Sequence, residues 1–339
     1  MSELWPPLLT RLLAGEDLSA DEAAGAMGAI MDGEATPAQV AAFVVALRAK
    51  GESAEEIEGL ARTMLDRAVP VPTSGPVVDT CGTGGDRAGT LNVSTIAAIV
   101  VAGAGARVAK HGNRAASSRC GSADLLEALG VKIDLDAAGV ARCIEEAGIG
   151  FMFAPVFHPA MAHAAVPRRE MGIPTVFNFL GPLTNPARPV AQVVGVSDPR
   201  MQPKLAGVLA ARGTRAMVVR GHDGLDELTT TGPSAVVDVR DGTASETTVD
   251  PAALGLAPAA AEDLLGGDVE RNVTIAYWVL DGELGPARDI VLLNAAAALH
   301  VAGRAASLEE GLSQAAEAID SKAAREALTR WAEVSNAAR

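Results

Sequence analysis

From Gly75 onward, short β-rich runs alternate with alanine-rich segments of helical character; PVVDT, ARVAK, VAQVVGV, AMVVRG and AVVDVRDG are the strand-like runs. This alternation predicts a mainly parallel sheet with helices on its faces, because two parallel strands need a crossover long enough to return the chain to the same end. The first seventy residues lack it. They carry three helix-start signatures of the capping-box type instead: Ser19 with Glu22, Thr36 with Gln39 and with Pro37 at the first helical position, and Ser53 with Glu56. Apolar residues follow at helical spacing, among them Val40, Phe43, Val44 and Leu47. The expected fold class is α/β, with a small α-helical domain over 1–73 and a larger α/β domain with a mainly parallel central sheet over 74–339. Phe151 to Pro189, rich in Pro, His and Arg, does not fit the alternation and reads as a hinge, or as a return of the chain into the helical domain around 160–190.

Charge and composition exclude several function classes. A net charge of −14 repels nucleic acid and anionic membrane, and six Phe, three Trp and one Tyr leave little to stack on bases. Neither is an expected partner. Ile96 to Ala106 is the longest apolar run, too short to span a bilayer and broken by glycines. The start, MSELWPPLLTRLL, has an acidic residue where a signal peptide would carry positive charge, so a cytoplasmic protein is expected. Cys81, Cys120 and Cys143 form no CxxC pair and no His/Cys cluster, which indicates neither a disulfide framework nor a zinc site. Cys81 has the position of a nucleophile, but we read it as a small buried thiol.

The stretch DTCGTGGDRAGTLNVST, Asp79 to Thr95, places four glycines directly after a strand-like run and then opens a helix with Asn, Ser and Thr. Glycines let backbone N–H groups approach a ligand, and an uncapped helix start adds further donors and a positive dipole end, which together suit a phosphate. Neither common phosphate fingerprint matches: Arg87 stands where a Rossmann loop needs Gly, and Thr90 where a Walker A loop needs Lys. A tight βα turn also uses glycine for steric reasons alone, so a second feature is needed. From Arg87 through Ala123 there is no Asp or Glu, while Arg87, Arg107, Lys110, Arg114 and Arg119 supply positive charge suited to an anion.

KHGNRAASSRCGSAD, Lys110 to Asp124, follows the second strand and should emerge at the same carboxyl edge of the sheet, where open α/β sheets bind ligands. Ser117, Ser118 and Ser122 offer donors there, and Asn113 an amide near the Gly112 turn. His111 could act as an acid or base, and we read it as a contact residue. Farther on, HDGLDELTTTGP carries Asp226 and Glu227. In an ordinary turn they would be solvated charges; facing a phosphate site they would hold Mg²⁺, which takes oxygen ligands and bridges to substrate phosphates. The Thr229 to Thr231 run could begin a further polar edge.

These residues resemble a known family, the anthranilate phosphoribosyltransferases. The motifs that carry the likeness are GTGGD at 82–86, NVST at 92–95, KHGNRAASS at 110–118, GSAD at 121–124, FNFLGPLTNPARP at 177–189 and DGLDELT at 223–229, with the helical start and RDIVLLNAAAAL near the end. The likeness spans essentially the whole chain. It implies transfer of a phosphoribosyl group from phosphoribosyl pyrophosphate to the amine of anthranilate with Mg²⁺ as cofactor. It also implies a cleft between a helical and an α/β domain, and a homodimer formed through the helical domains. By the family pattern, Gly82, Gly85, Asp86, Thr90, Asn92, Val93, Ser94, Thr95, Lys110, His111, Gly112, Asn113, Arg114, Ala115, Ala116, Ser117, Ser118 and Ser122 hold the phosphoribosyl donor. Ser94, Asp226 and Glu227 serve the metal.

Anthranilate is met by Gly82, Asn113 and Arg168, with His111 nearby; Arg168 supplies a bidentate partner for a carboxylate. No residue is assigned as acid, base or nucleophile. One departure is visible, Pro174 where many members carry Arg. The pyrimidine nucleoside phosphorylases resemble this family in architecture but need no Mg²⁺, so the Asp226/Glu227 pair and NVST favour the transferase. A catalytically silent binding relative is disfavoured by the acidic charge and the presence of those same residues.

Overall fold

The structure, a computed structural model, describes residues 4–115 and 119–338. The chain opens with four helices, α1 (Trp5–Leu13), α2 (Ala20–Met31), α3 (Pro37–Lys50) and α4 (Ala54–Asp66). All three capping boxes form: Ser19, Thr36 and Ser53 accept from the backbone of Glu22, Gln39 and Glu56, whose side chains accept in return. A cap of this kind stabilises by about 1 kcal/mol. Glu56 does more, since its fully buried carboxylate also accepts from Leu18 N (2.9 Å) and Lys50 Nζ (3.0 Å). One side chain thereby ties the entries of α2 and α4 to the end of α3.

The α/β part follows as β1 (Val78–Gly82), α5 (Val93–Gly103), β2 (Val108–Gly112), α6 (Ser122–Ala128), α7 (Ala137–Ala147), β3 (Ile149–Phe153), α8 (Ala154–Phe157) and α9 (Ala162–Met171). It continues through β4 (Ala191–Gly195), α10 (Gln202–Ala211), β5 (Arg215–Gly221), β6 (Ser234–Arg240) and β7 (Thr243–Val249), then α11 (Val269–Leu280), α12 (Pro286–Val301), α13 (Leu308–Asp320) and α14 (Ala323–Ala337). The sheet order is β3-β2-β1-β4-β5-β6-β7, with β3 to β5 parallel and β6 and β7 antiparallel. This is the α/β class expected, a helical unit beside a mainly parallel sheet.

Two elements depart from the sequence reading. Phe151 to Phe153, set outside the alternation, are the end of β3. The run IGFMF is short and passes straight into Ala-Pro, so its pattern merges with the irregular stretch behind it. Strand β7, TASETTV, carries no apolar alternation because it is an edge strand exposed along all but its last residue.

Each face of the sheet has its own core. On one side α5, α12 and α14 pack Ile96, Val100, Leu293, Leu299 and Trp331. On the other the N-terminal helices and α10 pack Phe43, Leu60 and Leu205 against Val194, Val218 and Val237. Helix α9 packs against α2 and α3. Strand β1 is flanked by β2 on one side and β4 on the other, so their connections diverge and leave a crevice at the carboxyl ends of β1 and β4, where ligands bind in sheets of this type. A surface cavity of about 400 Å³ lies instead at the amino ends of β4 and β5, against α4, away from that crevice.

Candidate active site

The crevice is built on two glycines. Gly82 and Gly195 end β1 and β4 and stand opposite each other in register. Asp226 sits on both. A Cβ at Gly82 would lie 2.8 Å from Asp226 Cγ, and one at Gly195 would overlap the Asp226 carbonyl outright. The Asp226 carboxylate then reaches the glycine loop, where Gly84 N donates to Oδ2 (2.6 Å). Thr83 N donates to Gly195 O (2.9 Å) and Ser197 Oγ to Gly84 O (2.8 Å), fastening the loop to the end of β4.

Beyond Gly84 the loop turns outward. Gly84, Gly85, Arg87 and Gly89 all take positive φ, and the N–H groups of Gly85, Asp86, Arg87 and Gly89 have no partner among the described residues. Unpaired N–H groups presented by such a turn form an anion-binding concavity. The start of α5 differs from expectation. Asn92 leaves it without a side-chain cap, yet its first N–H groups are engaged: Val93 with Leu91 O, Thr95 and Ile96 with Asn92 O, and Ser94 with Glu227 Oε1 (3.2 Å). A carboxylate occupies the dipole end that the sequence offered to phosphate. Val93 packs into the core, and Thr95 is buried. Thr90 bridges to Leu265, and Asn92 Nδ2 donates to Cys120 O (3.1 Å).

Below the loop lies a buried polar layer. Lys110, 2% exposed, donates through Nζ to Thr80 O (2.6 Å) and lies 3.5 Å from Ser94 Oγ. Asp79, fully buried, accepts from His111 N (3.2 Å) and Asn185 Nδ2 (2.8 Å), and Asn185 donates also to Ala109 O (2.8 Å). Burial raises the Asp79 carboxyl pKa, while the Lys110 charge opposes it. The Cys81 thiol is pushed well up by desolvation and by Asp79, so it stays protonated, but the residue is half-buried and not the buried thiol expected.

His111 Nδ1 lies 3.2 Å from Gly181 O, which fixes the proton on Nδ1 and leaves Nε2 as a buried acceptor. Its ring stands 5.0 Å from that of His158. Burial pushes His111 down to about 3 and His158 down to about 4 from the ordinary 6.5. Both are neutral at pH 7, which removes His111 as a general acid. For each, the unfolded chain takes up its proton below pH 6.5 while the folded chain does not. This contribution is therefore full above pH 6.5 and lost as pH falls, by about 1.4 kcal/mol per pH unit per histidine at most. Between pH 7 and 5 the urea midpoint of the unsubstituted protein should fall relative to that of His158→Leu; the same pH dependence in both would contradict this.

The segment after β2 folds back onto α6. Gly112 has Ser122 Oγ and the Phe151 ring where a Cβ would be, and Ser122 Oγ donates to Asn113 O (3.1 Å). Asp124 accepts from Ala115 N (3.1 Å), Gly121 N (2.9 Å) and Arg114 Nη1 (2.8 Å). Ala116, Ser117 and Ser118 lie outside the described residues. The positive run does not make one open field: Arg107 pairs with Glu145, Arg114 with Asp124 and Glu127, and Arg119 approaches Asp268. Its acidic partners come from beyond the acid-free stretch. Arg168, on α9, packs its guanidinium over the Phe177 ring at 5.5 Å and has no carboxylate partner among the described residues. Pro174 is exposed in the turn that leaves α9.

Asp226 is 8% exposed, and its pKa is raised far above the carboxylate range by burial and by the charges of Asp86 and Glu227. Glu227 is pushed up to about 7 by burial, against the Lys110 charge and the Ser94 hydrogen bonds. Asp226 is buried and Glu227 half-buried, with Asp86 near them, so like charges are crowded in a way that a divalent cation would relieve. Among the described residues no group of three His, Cys, Asp or Glu side chains could hold a metal ion on its own. That suits Mg²⁺, which is held by one or two carboxylates plus substrate phosphates.

Sequence reading did not single out Gly195 or Asp79, and quoted Asn185 only inside a longer motif. The signals were a glycine ending an apolar strand and a lone Asp inside an apolar run.

Residues 74–325 match the family model described as glycosyl transferase family, a/b domain, and residues 6–68 match its helical bundle domain. The anthranilate phosphoribosyltransferase of Acidothermus cellulolyticus is 62% identical over 341 residues, covering 99% of this chain and 96% of that protein. Among solved structures, the anthranilate phosphoribosyltransferase of Thermus thermophilus superposes with a TM-score of 0.92 at 45% identity, over 97% of this chain and 99% of the other. That of Saccharomyces cerevisiae in complex with PRPP and Mg gives 0.91 at 28% identity, over 99% of each chain. The chain belongs to the anthranilate phosphoribosyltransferase family.

Proposed function

We propose that the protein transfers the phosphoribosyl group of 5-phosphoribosyl 1-pyrophosphate to anthranilate, giving N-(5-phosphoribosyl)anthranilate and pyrophosphate in tryptophan biosynthesis. The observation that carries this reading is the Asp226–Glu227 turn, seated on Gly82 and Gly195 and hydrogen-bonded to a glycine loop with outward N–H groups. In the reaction the bond from the anomeric carbon to pyrophosphate breaks and a bond to the anthranilate nitrogen forms, with one proton leaving that nitrogen. An aromatic amine is neutral at pH 7, so no strong base is required, consistent with a neutral His111. Asp226, Glu227 and the Ser94 hydroxyl would hold Mg²⁺, which when bound would supply positive charge against the leaving pyrophosphate.

The chain's own residues bind and orient. Gly85, Asp86 and the segment to Thr90 cradle the phosphates with backbone N–H groups, and Asn92 to Thr95 close that side. Lys110 adds fixed positive charge from below, while Asn113, Arg114, Ala115 and Ser122 line the other wall. Anthranilate rests by Gly82, Asn113 and His111, with its carboxylate on Arg168, which α9 carries from its packing against α2 and α3. In this reading residues 1–73 and the return around 160–190 form the acceptor side, and 74–339 the donor side. The exposed Leu13, Val45 and Val166, on α1, α3 and α9, support a homodimer formed through the helical unit. No described helix is long and apolar enough to cross a membrane; a cytoplasmic setting is part of this proposal.

Steady-state kinetics of Arg168→Ala test the acceptor half. The Michaelis constant for anthranilate should rise roughly 10²-fold, as expected for loss of a bidentate charged contact, with that for the donor changed far less. Equal effects on both would remove Arg168 from its role. Phosphorolysis of a pyrimidine nucleoside by the same sample would transfer the case to the phosphorylases.

A further inference from the structure

The turn bearing the two carboxylates is irregular; Leu225 to Thr230 belong to no helix or strand. Buried backbone there must find partners elsewhere in the fold. Leu228, next to Glu227, is fully buried. Its N–H donates to Asn294 Oδ1 (3.0 Å), and its carbonyl accepts from Asn294 Nδ2 (2.8 Å), the exchange a neighbouring strand would supply. Asn294 Nδ2 donates also to Ile290 O (2.9 Å), one turn back in α12.

Asparagine is an unfavourable choice inside a helix. Here it is 2% exposed and interrupts a run that is otherwise apolar and buried from Ile290 to Leu299. Asp223 closes the same turn from within, accepting from Thr229 Oγ1 and Thr231 Oγ1 (2.7 Å each) and from Leu225 N (3.1 Å). That is also what the threonine run does, in place of a further polar edge. Asp223 ties the turn only to itself, whereas Asn294 ties it to α12, which packs against α5 and β1. The helix that packs against β1 and α5, the elements the glycine loop joins, thus also holds the carboxylate turn.

We propose that Asn294 is a positioning residue for the metal: its amide fixes the Leu228 backbone and, through it, the placement of the Asp226 and Glu227 carboxylates. This rests on the Mg²⁺ role given above to those two residues.

The test is calorimetric binding of phosphoribosyl pyrophosphate across a series of Mg²⁺ concentrations, alongside the Michaelis constant for anthranilate. Asn294→Ala removes the clamp. Asn294→Asp keeps its size and the acceptor for Leu228 N but removes both donors, so it answers the question if the alanine variant does not fold. In both variants the Mg²⁺ concentration for half-maximal binding should rise about 10-fold or more, while the anthranilate constant changes less than about 2-fold. Leu293→Ala, a cavity in the same helix, should lower stability and leave the Mg²⁺ midpoint in place. An unchanged midpoint in folded Asn294→Asp overturns the proposal, as does an equal shift in Leu293→Ala. Asp226→Asn with Glu227→Gln, run in the same titration, separates the two claims: if that variant also leaves the midpoint in place, the metal assignment itself fails and the Asn294 role with it.

Discussion

Gly195→Ala is expected to lower kcat/KM by roughly 10²–10³-fold, the scale of a misplacement near 1 Å in a positioned catalytic group. The added Cβ would occupy the Asp226 carbonyl position, and its neighbour is backbone, which cannot rotate away as a flexible side chain can. Either the carboxylate turn lifts off the sheet or the end of β4 bends. Overpacking of this kind also costs about 1–3 kcal/mol of stability. Gly195 is outside the left-handed region, so the effect is one of space and not of backbone conformation. Gly207→Ala, in α10 with no tight neighbour, is the control: it should gain about 0.5–1 kcal/mol and keep activity. Kinetics and thermal unfolding of the two variants check this, and full activity in Gly195→Ala would mean that Asp226 is not seated as described.

The second large effect has opposite signs for activity and stability. Asp226→Asn with Glu227→Gln should lower kcat/KM by roughly 10²–10⁴-fold through loss of Mg²⁺ and positioning. The same variant should make the metal-free protein more stable at pH 7.5. Both carboxyl groups have folded pKa values raised by burial, Glu227 to about 7 from 4.5. Well below pH 4 they are protonated in both states and cost nothing; as pH rises toward 7 the unfolded chain releases protons that the folded chain keeps. Stability therefore falls with rising pH, and the gain from the neutral amides should be roughly 1–3 kcal/mol larger at pH 7.5 than at pH 4.5. Urea denaturation in chelator at the two pH values tests the stability half. An unchanged Mg²⁺ titration of activity would contradict the metal half.

What the sequence made legible follows from how local each signal is. Capping boxes at Ser19, Thr36 and Ser53 are set by residues three apart and form as read. The parallel strands β1, β2, β4 and β5 were visible because buried strands read as apolar runs, whereas β3 merges with the irregular stretch behind it and β7 is polar on both sides. The glycine loop and the Asp226–Glu227 pair stood out as motifs, but not the means by which they meet. Asp226 lies 142 residues from Gly84, and the space it needs depends on a glycine at 195 whose role appears only once β1 and β4 are paired. Asn294 and Asp79 act through buried hydrogen bonds to groups far away in the sequence, which no periodicity encodes. The free N–H groups expected at α5 were misread for the same reason, since Glu227 arrives there from far along the chain.

The most direct test of the whole account is the loss of anthranilate fluorescence on mixing the purified protein with anthranilate, phosphoribosyl pyrophosphate and Mg²⁺, each omitted in turn and with pyrophosphate measured alongside. The account predicts loss that requires every component, stops on adding chelator, and matches pyrophosphate release one for one. Loss that proceeds without Mg²⁺, or no loss with all components present, would contradict it.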